Sequence, residues 1–190
     1  MKRVFIVHGW GGNPGKEWFP WIKKELEGRG YEVSVPEMPN TGEPEVNAWV
    51  SHLASVVGEA DGDTFFVGHS IGCQAILRYL EKLPDGAVVG GAVFVAGWLT
   101  LKNLEEGSVE TARPWLETPI DFGKVRSRAK RFSVLFSTND HYVPFVDSRA
   151  FEKKLGARII VLENRGHFSE SEGTTEVPEA LEEVLRMSGG

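Results

Sequence analysis

A chain of 190 residues is one domain's worth of protein, and 41% hydrophobic with 25% charged residues is the balance of a globular fold, not of a disordered or fibrous one. The formal charge of −6 argues against nucleic acid or an anionic membrane as partner, and no apolar run approaches the length that spans a bilayer. Cys73 is the only cysteine, which excludes an internal disulfide and a cysteine-based zinc site and makes a reducing, cytoplasmic compartment the expectation.

Residues 1–190 are expected to form a single domain with a folded surface of roughly 9,000 Å², against roughly 30,000 Å² for the extended chain. The first strand is expected at Val4–Val7, followed by the glycine-rich loop His8-Gly9-Trp10-Gly11-Gly12-Asn13. Trp18, Ile22 and Leu26 recur at helical spacing, and Gly28 or Gly30 can end that helix. A second strand, Glu32–Val35, precedes the helical stripe Val46, Trp49, Val50, Leu53 and Val57. The third strand, Thr64–Val67, runs into Gly68-His69-Ser70-Ile71-Gly72, and Ala75, Ile76, Leu80 and Leu83 continue a helix behind it as far as Pro84.

Strands at Val88–Val95, Phe132–Phe136 and Arg158–Leu162 follow, and a last helix spans Glu176–Met187 with Pro178 in its first turn. Several of these strands are unbroken apolar runs, as buried parallel strands are. The alternation predicts a three-layer α/β/α fold on a mostly parallel, six-stranded sheet with right-handed crossovers. Residues 97–120 break the rhythm: they have room for a short helix but carry no strand pattern. They read either as a small cap or pocket wall, or as a surface excursion packed by its own tryptophans.

A Gly-x-Ser-x-Gly pattern is weak evidence in a glycine-rich chain. Its setting between a strand and a helix turns it into a nucleophile elbow, which exposes a serine hydroxyl above the end of a sheet. Ser70 is the candidate nucleophile; it needs a base, and the base needs an orienting acid. Asp140 follows the fifth strand and His167 the sixth, so Ser70, Asp140 and His167 come in the chain order of α/β hydrolases. Asp147 and Glu163 compete for the acid's place, although Asp147 reads better as the cap of a following helix. His69 reads as a packed or hydrogen-bonded neighbour of Ser70, and Cys73 as a small core residue. The oxyanion site calls for the N–H of Ile71 and a second donor from the first loop, with Trp10 preferred over Gly9 and Gly11. That loop lacks the ending of a phosphate-binding Walker loop.

These motifs, with Asn139-Asp140 followed by Tyr142-Val143-Pro144-Phe145 and with Gly166-His167-Phe168, resemble the α/β-hydrolase superfamily. The narrower resemblance, over almost the whole chain, is to the small serine hydrolases related to retinoblastoma-binding protein 9. It implies a hydrolase sheet reduced relative to full-size members, all parallel in the order 2-1-3-4-5-6. It also implies a triad of Ser70, Asp140 and His167 that needs neither metal nor organic cofactor.

The expected reaction is hydrolysis of a small carboxylester through an acyl-Ser70 intermediate, with Trp10, Trp98, Trp115, His141 and Phe168 as candidate pocket residues. An aminoacyl-amide or short-peptide substrate remains the alternative reaction. A mainly non-catalytic protein-interaction module, with an unspecified protein partner, is the alternative of a different class.

Overall fold

The computed structural model describes residues 1–189, so the last residue of the expected 1–190 domain lies outside the described residues. Its strands are β1 (Arg3–Val7), β2 (Glu32–Ser34), β3 (Thr64–His69), β4 (Gly91–Val95), β5 (Phe132–Ser137) and β6 (Arg158–Leu162). They form one six-stranded sheet in the order β2-β1-β3-β4-β5-β6, with every neighbouring pair parallel. The helices are α1 (Phe19–Glu27), α2 (Val46–Val57), α3 (Ile71–Glu81), α4 (Glu106–Glu117), α5 (Phe122–Ser127), α6 (Asp147–Leu155) and α7 (Pro178–Ser188). Helix α1 packs with α7, while α2, α3, α5 and α6 pack side by side in a second row, and the sheet lies between the two rows. The result is a single-domain α/β/α fold, smaller than full-size hydrolases.

The central strands β3, β4 and β5 are buried along their whole length, which is why their sequences are continuous and not alternating. Helix α3 is buried from Ile71 through Leu80, hemmed by the sheet and by α2 and α5. Gly30, with φ 83°, supplies the left-handed turn after α1, whereas Gly28 keeps helical angles. Strand β4 begins at Gly91, later than the expected Val88, because Val89 pairs in an isolated bridge with Ala129. Helix α5 carries no sequence signal beyond its Asp121 cap; six residues with Val125 alone buried show no periodicity.

Residues 97–120 hold α4, a 12-residue helix, which is longer than its Gly107 and Pro114 suggest. Pro114 removes the bond to the Glu110 carbonyl, but Glu110 is exposed and water can take that acceptor. No helix of the described residues is long and apolar enough to cross a membrane.

Candidate active site

All strands run the same way, so the loops that follow β1, β3, β4, β5 and β6 emerge at one edge of the sheet, where ligands bind in open α/β folds. Ser70 sits between β3 and α3 with φ 52° and ψ −119°, a conformation that side-chain-bearing residues rarely adopt. The flanking glycines permit it. A Cβ on Gly72 would lie 2.3 Å from the Val7 carbonyl oxygen, and one on Gly68 would lie 2.9 Å from Cys73 Cα. The elbow therefore packs directly onto β1, with no space for a methyl group at either position.

The loops after β5 and β6 bring Asp140 and His167 to this elbow. His167 Nε2 is 2.9 Å from Ser70 Oγ, and His167 Nδ1 is 2.9 Å from Asp140 Oδ2. A carboxylate can only accept, so Nδ1 carries the proton and Nε2 is left to accept from the serine hydroxyl. The other carboxylate oxygen of Asp140 accepts from the Tyr142 and Val143 N–H groups at 2.8 and 3.0 Å. Burial alone would raise its pKa; the hydrogen bond and charge of His167 and these two N–H donors outweigh that and hold the carboxyl below its ordinary value. Glu163, the competing acid, is exposed.

Loop-to-loop bonds hold the histidine. Asn139 Oδ1 accepts from the Ser137 hydroxyl and from Gly166 N–H, and Ser137 Oγ in turn accepts from Arg165 N–H at 3.0 Å. Glu172, which no motif singled out, accepts from the His167 N–H at 2.7 Å and from the Ser169 hydroxyl at 2.6 Å. Its carboxylate lies so close to Gly166 (φ 54°) that a Cβ there would meet Oε1 at 2.1 Å. His69 Nε2 donates to the His167 carbonyl oxygen at 2.8 Å. Burial, with the neighbouring His167 as a further cause, pushes the pKa of His69 down to about 3, so it is a neutral imidazole in this role.

In the loop after β1, His8 Nε2 accepts from Met38 N–H at 3.1 Å, which leaves Nδ1–H to donate to the Gly9 carbonyl at 2.9 Å. The Gly11 and Gly12 N–H groups are engaged, by Thr41 and Gly9. Among the described residues, those of Gly9, Trp10 and Ile71 have no protein acceptor, and Ile71 is the first residue of α3, where helix geometry provides none.

A cavity of about 350 Å³ opens over Ser70. Trp10 and Trp98 line it, as expected, with Phe19, Leu101, Leu104 and Tyr142 as further apolar wall. The other three expected pocket residues lie elsewhere. Trp115 is buried under α4, its indole donating to the Pro44 carbonyl and packed edge-on against Trp49. Phe168, turned by a φ of 57°, is fully buried, and its carbonyl takes the Trp18 indole N–H. His141 is exposed outside the cavity, because Asp140, its neighbour, points inward. Cys73 is buried and outside the wall, and burial drives its thiol pKa well above the ordinary value. No cluster of potential metal ligands occurs among the described residues.

A serine on a strained strand-to-helix turn, bonded to a histidine from a later loop on a parallel sheet, defines the α/β-hydrolase class. The chain belongs to the serine hydrolase family, whose model matches residues 4–186. It is 33% identical to YdeN of Bacillus subtilis strain 168 over 181 residues, 93% of this chain and 91% of that protein. It is 25% identical to the serine hydrolase RBBP9 of Rattus norvegicus over 173 residues, 90% of this chain and 89% of that one. The crystal structure of the B. subtilis ydeN gene product matches with a TM-score of 0.91, 30% identity and full coverage of both chains. Est1E from Butyrivibrio proteoclasticus shares the fold at TM-score 0.75 and 15% identity, over 100% of this chain and 89% of that one. Family and fold together make this protein a serine hydrolase.

Proposed function

We propose that the protein cleaves small carboxylesters by acyl-enzyme chemistry. The observation that carries this reading is the unbroken chain Ser70 Oγ–His167 Nε2, His167 Nδ1–Asp140 Oδ2, with both links at 2.9 Å, at the base of a largely apolar cavity. Ser70 Oγ attacks the ester carbonyl as His167 takes its proton, and the oxyanion so formed is held by the Ile71 and Trp10 N–H groups. His167 then returns the proton to the departing alcohol, leaving acyl-Ser70. Water, deprotonated by His167, attacks that ester and regenerates the serine. Asp140 keeps Nδ1 protonated and stabilises the imidazolium at each step. The acyl group occupies the cavity, whose volume suits a short or aromatic acid better than a long lipid chain. The single buried cysteine supports a reducing, cytoplasmic setting.

The test is reaction of wild type, Ser70→Ala and Asp140→Asn with a fluorophosphonate probe, followed by peptide mapping and assay on p-nitrophenyl esters and aminoacyl amides. The reading requires labelling of wild type at Ser70 alone and turnover of esters above amides. Asp140→Asn, which can hold the wrong imidazole tautomer, should lose ~10³-fold or more in kcat. A folded wild type that does not label overturns the reading, and equal activity of Asp140→Asn overturns the role of Asp140.

A further inference from the structure

Asp147 stands seven residues beyond Asp140 and does not cap a helix as its sequence position suggested. It is the first residue of α6, after Val146 at the cap position, and its carboxylate reaches back across the fold. Oδ2 accepts from the Leu99 N–H at 2.7 Å and from the Thr100 N–H at 2.8 Å, and Oδ1 accepts from the Thr100 hydroxyl at 2.9 Å. The residue is 4% exposed and, among the described residues, has no cationic partner within salt-bridge distance. A buried carboxylate without a counter-charge is costly unless its hydrogen bonds are complete, and here all three are spent on one short segment.

That segment is the wall of the cavity. Trp98 and Leu101, on either side of Leu99 and Thr100, both line the space above Ser70. Gln74, from α3 and also buried, donates to the Trp98 carbonyl at 2.7 Å. Two further bonds continue the seam, Lys102 N–H to the Tyr142 carbonyl and Asn103 Nδ2 to the His141 carbonyl. Without them the exit from β4 would be a plain loop, free to shift as loops do. Asp147 therefore links the wall of the cavity to the loop that carries Asp140.

We propose that Asp147 is the positioning residue for the acyl-binding wall: it sets which acyl groups the cavity accepts by fixing Trp98 and Leu101, and it takes no part in proton transfer. The proposal rests on the reading that the acyl group occupies this cavity. Loosening the wall acts most on substrates that touch it, so the sensitive quantity is a ratio between acyl groups, not a rate.

The experiment compares kcat/KM for p-nitrophenyl hexanoate and acetate in wild type, Asp147→Ala, Asp147→Asn and Thr100→Val, with fluorophosphonate labelling of Ser70 in each. The expected result is a hexanoate-to-acetate ratio that falls about tenfold in Asp147→Ala, since small misplacements of binding groups cost up to ~10²-fold. Asp147→Asn, which keeps one acceptor oxygen, should recover part of that change. Thr100→Val, an exposed site that loses only the hydroxyl bond, should shift the ratio about threefold in the same direction, and it decides the matter if Asp147→Ala does not fold. Variants that label at Ser70 with an unchanged ratio, or that lose activity equally on both esters, overturn the proposal alone. Failure of wild type to label at Ser70 overturns the hydrolase reading and this proposal with it.

Discussion

The imidazole of His69 is hydrogen-bonded, Nε2 to O at 2.8 Å, to the main-chain carbonyl of His167, so the residue beside the serine holds the backbone of the residue facing it. The rings lie 5.2 Å apart, and the absence of a side chain on Gly9 lets the His69 ring sit where a Cβ would be 3.1 Å from its Nδ1.

This bond makes a pH prediction. The pKa of His69 is about 3 in the folded protein and near the ordinary 6.5 in the unfolded chain. Unfolded molecules therefore take up a proton between those values while folded ones do not, and stability that is complete above pH 6.5 is lost as the pH falls toward 3. Buried His8, whose pKa is also lowered, acts in the same sense. Urea midpoints at pH 7 and pH 5 should fall markedly for wild type and less for His69→Gln. An equal fall in both would remove His69 from the acid sensitivity. His69→Gln can still donate to the His167 carbonyl, so it should retain more kcat than His69→Phe.

The elbow predicts two opposite stability changes. Ser70 holds a positive φ at a residue with a Cβ, a strain of order 1–3 kcal/mol that glycine would not carry. Ser70→Gly should raise the unfolding free energy from urea titration by ~1 kcal/mol or more, whereas Ser70→Ala keeps the strain and should change little. Gly72→Ala has no room against the Val7 carbonyl and should cost ~2 kcal/mol or more by forcing the helix from β1. A Gly72→Ala protein as stable as wild type would contradict this packing.

Charge in the cavity predicts substrate discrimination. Glu17 and Glu105 are part of its wall, and among the described residues no lysine or arginine is. Glu17 is held with φ 56°, and its carboxylate accepts from the Glu170 N–H. An acyl group ending in a carboxylate meets like charge there, so a p-nitrophenyl hemisuccinate should show kcat/KM at least ~10-fold below that of the neutral butyrate at low salt. Glu17→Gln and added salt should each narrow the gap. A hemisuccinate that is turned over as well as butyrate would count against an acidic cavity.

Much of this molecule is written locally. Apolar runs such as Phe65–Val67 and Val93–Val95 announce buried parallel strands, and the stripe from Trp49 to Val57 announces a helix with one buried face. Gly68-His69-Ser70-Ile71-Gly72 declares its turn because backbone crowding at that turn restricts which residues can stand there. Those signals depend on neighbours in the chain, so the sequence alone determined the order of the six strands and of α1, α2, α3 and α7, and named Ser70, Asp140 and His167 as candidate partners. What a side chain meets across the fold was decided only by tertiary packing. Trp98 faces the cavity while Trp115 and Phe168 are buried away from it, and three aromatic residues beyond the strand ends have no local feature that tells them apart. Asp147 has the pattern of a helix cap, yet its carboxylate is taken by Leu99 and Thr100, 48 and 47 residues back. The approach of those N–H groups to the buried start of α6, and not any local propensity, gives that carboxylate its place.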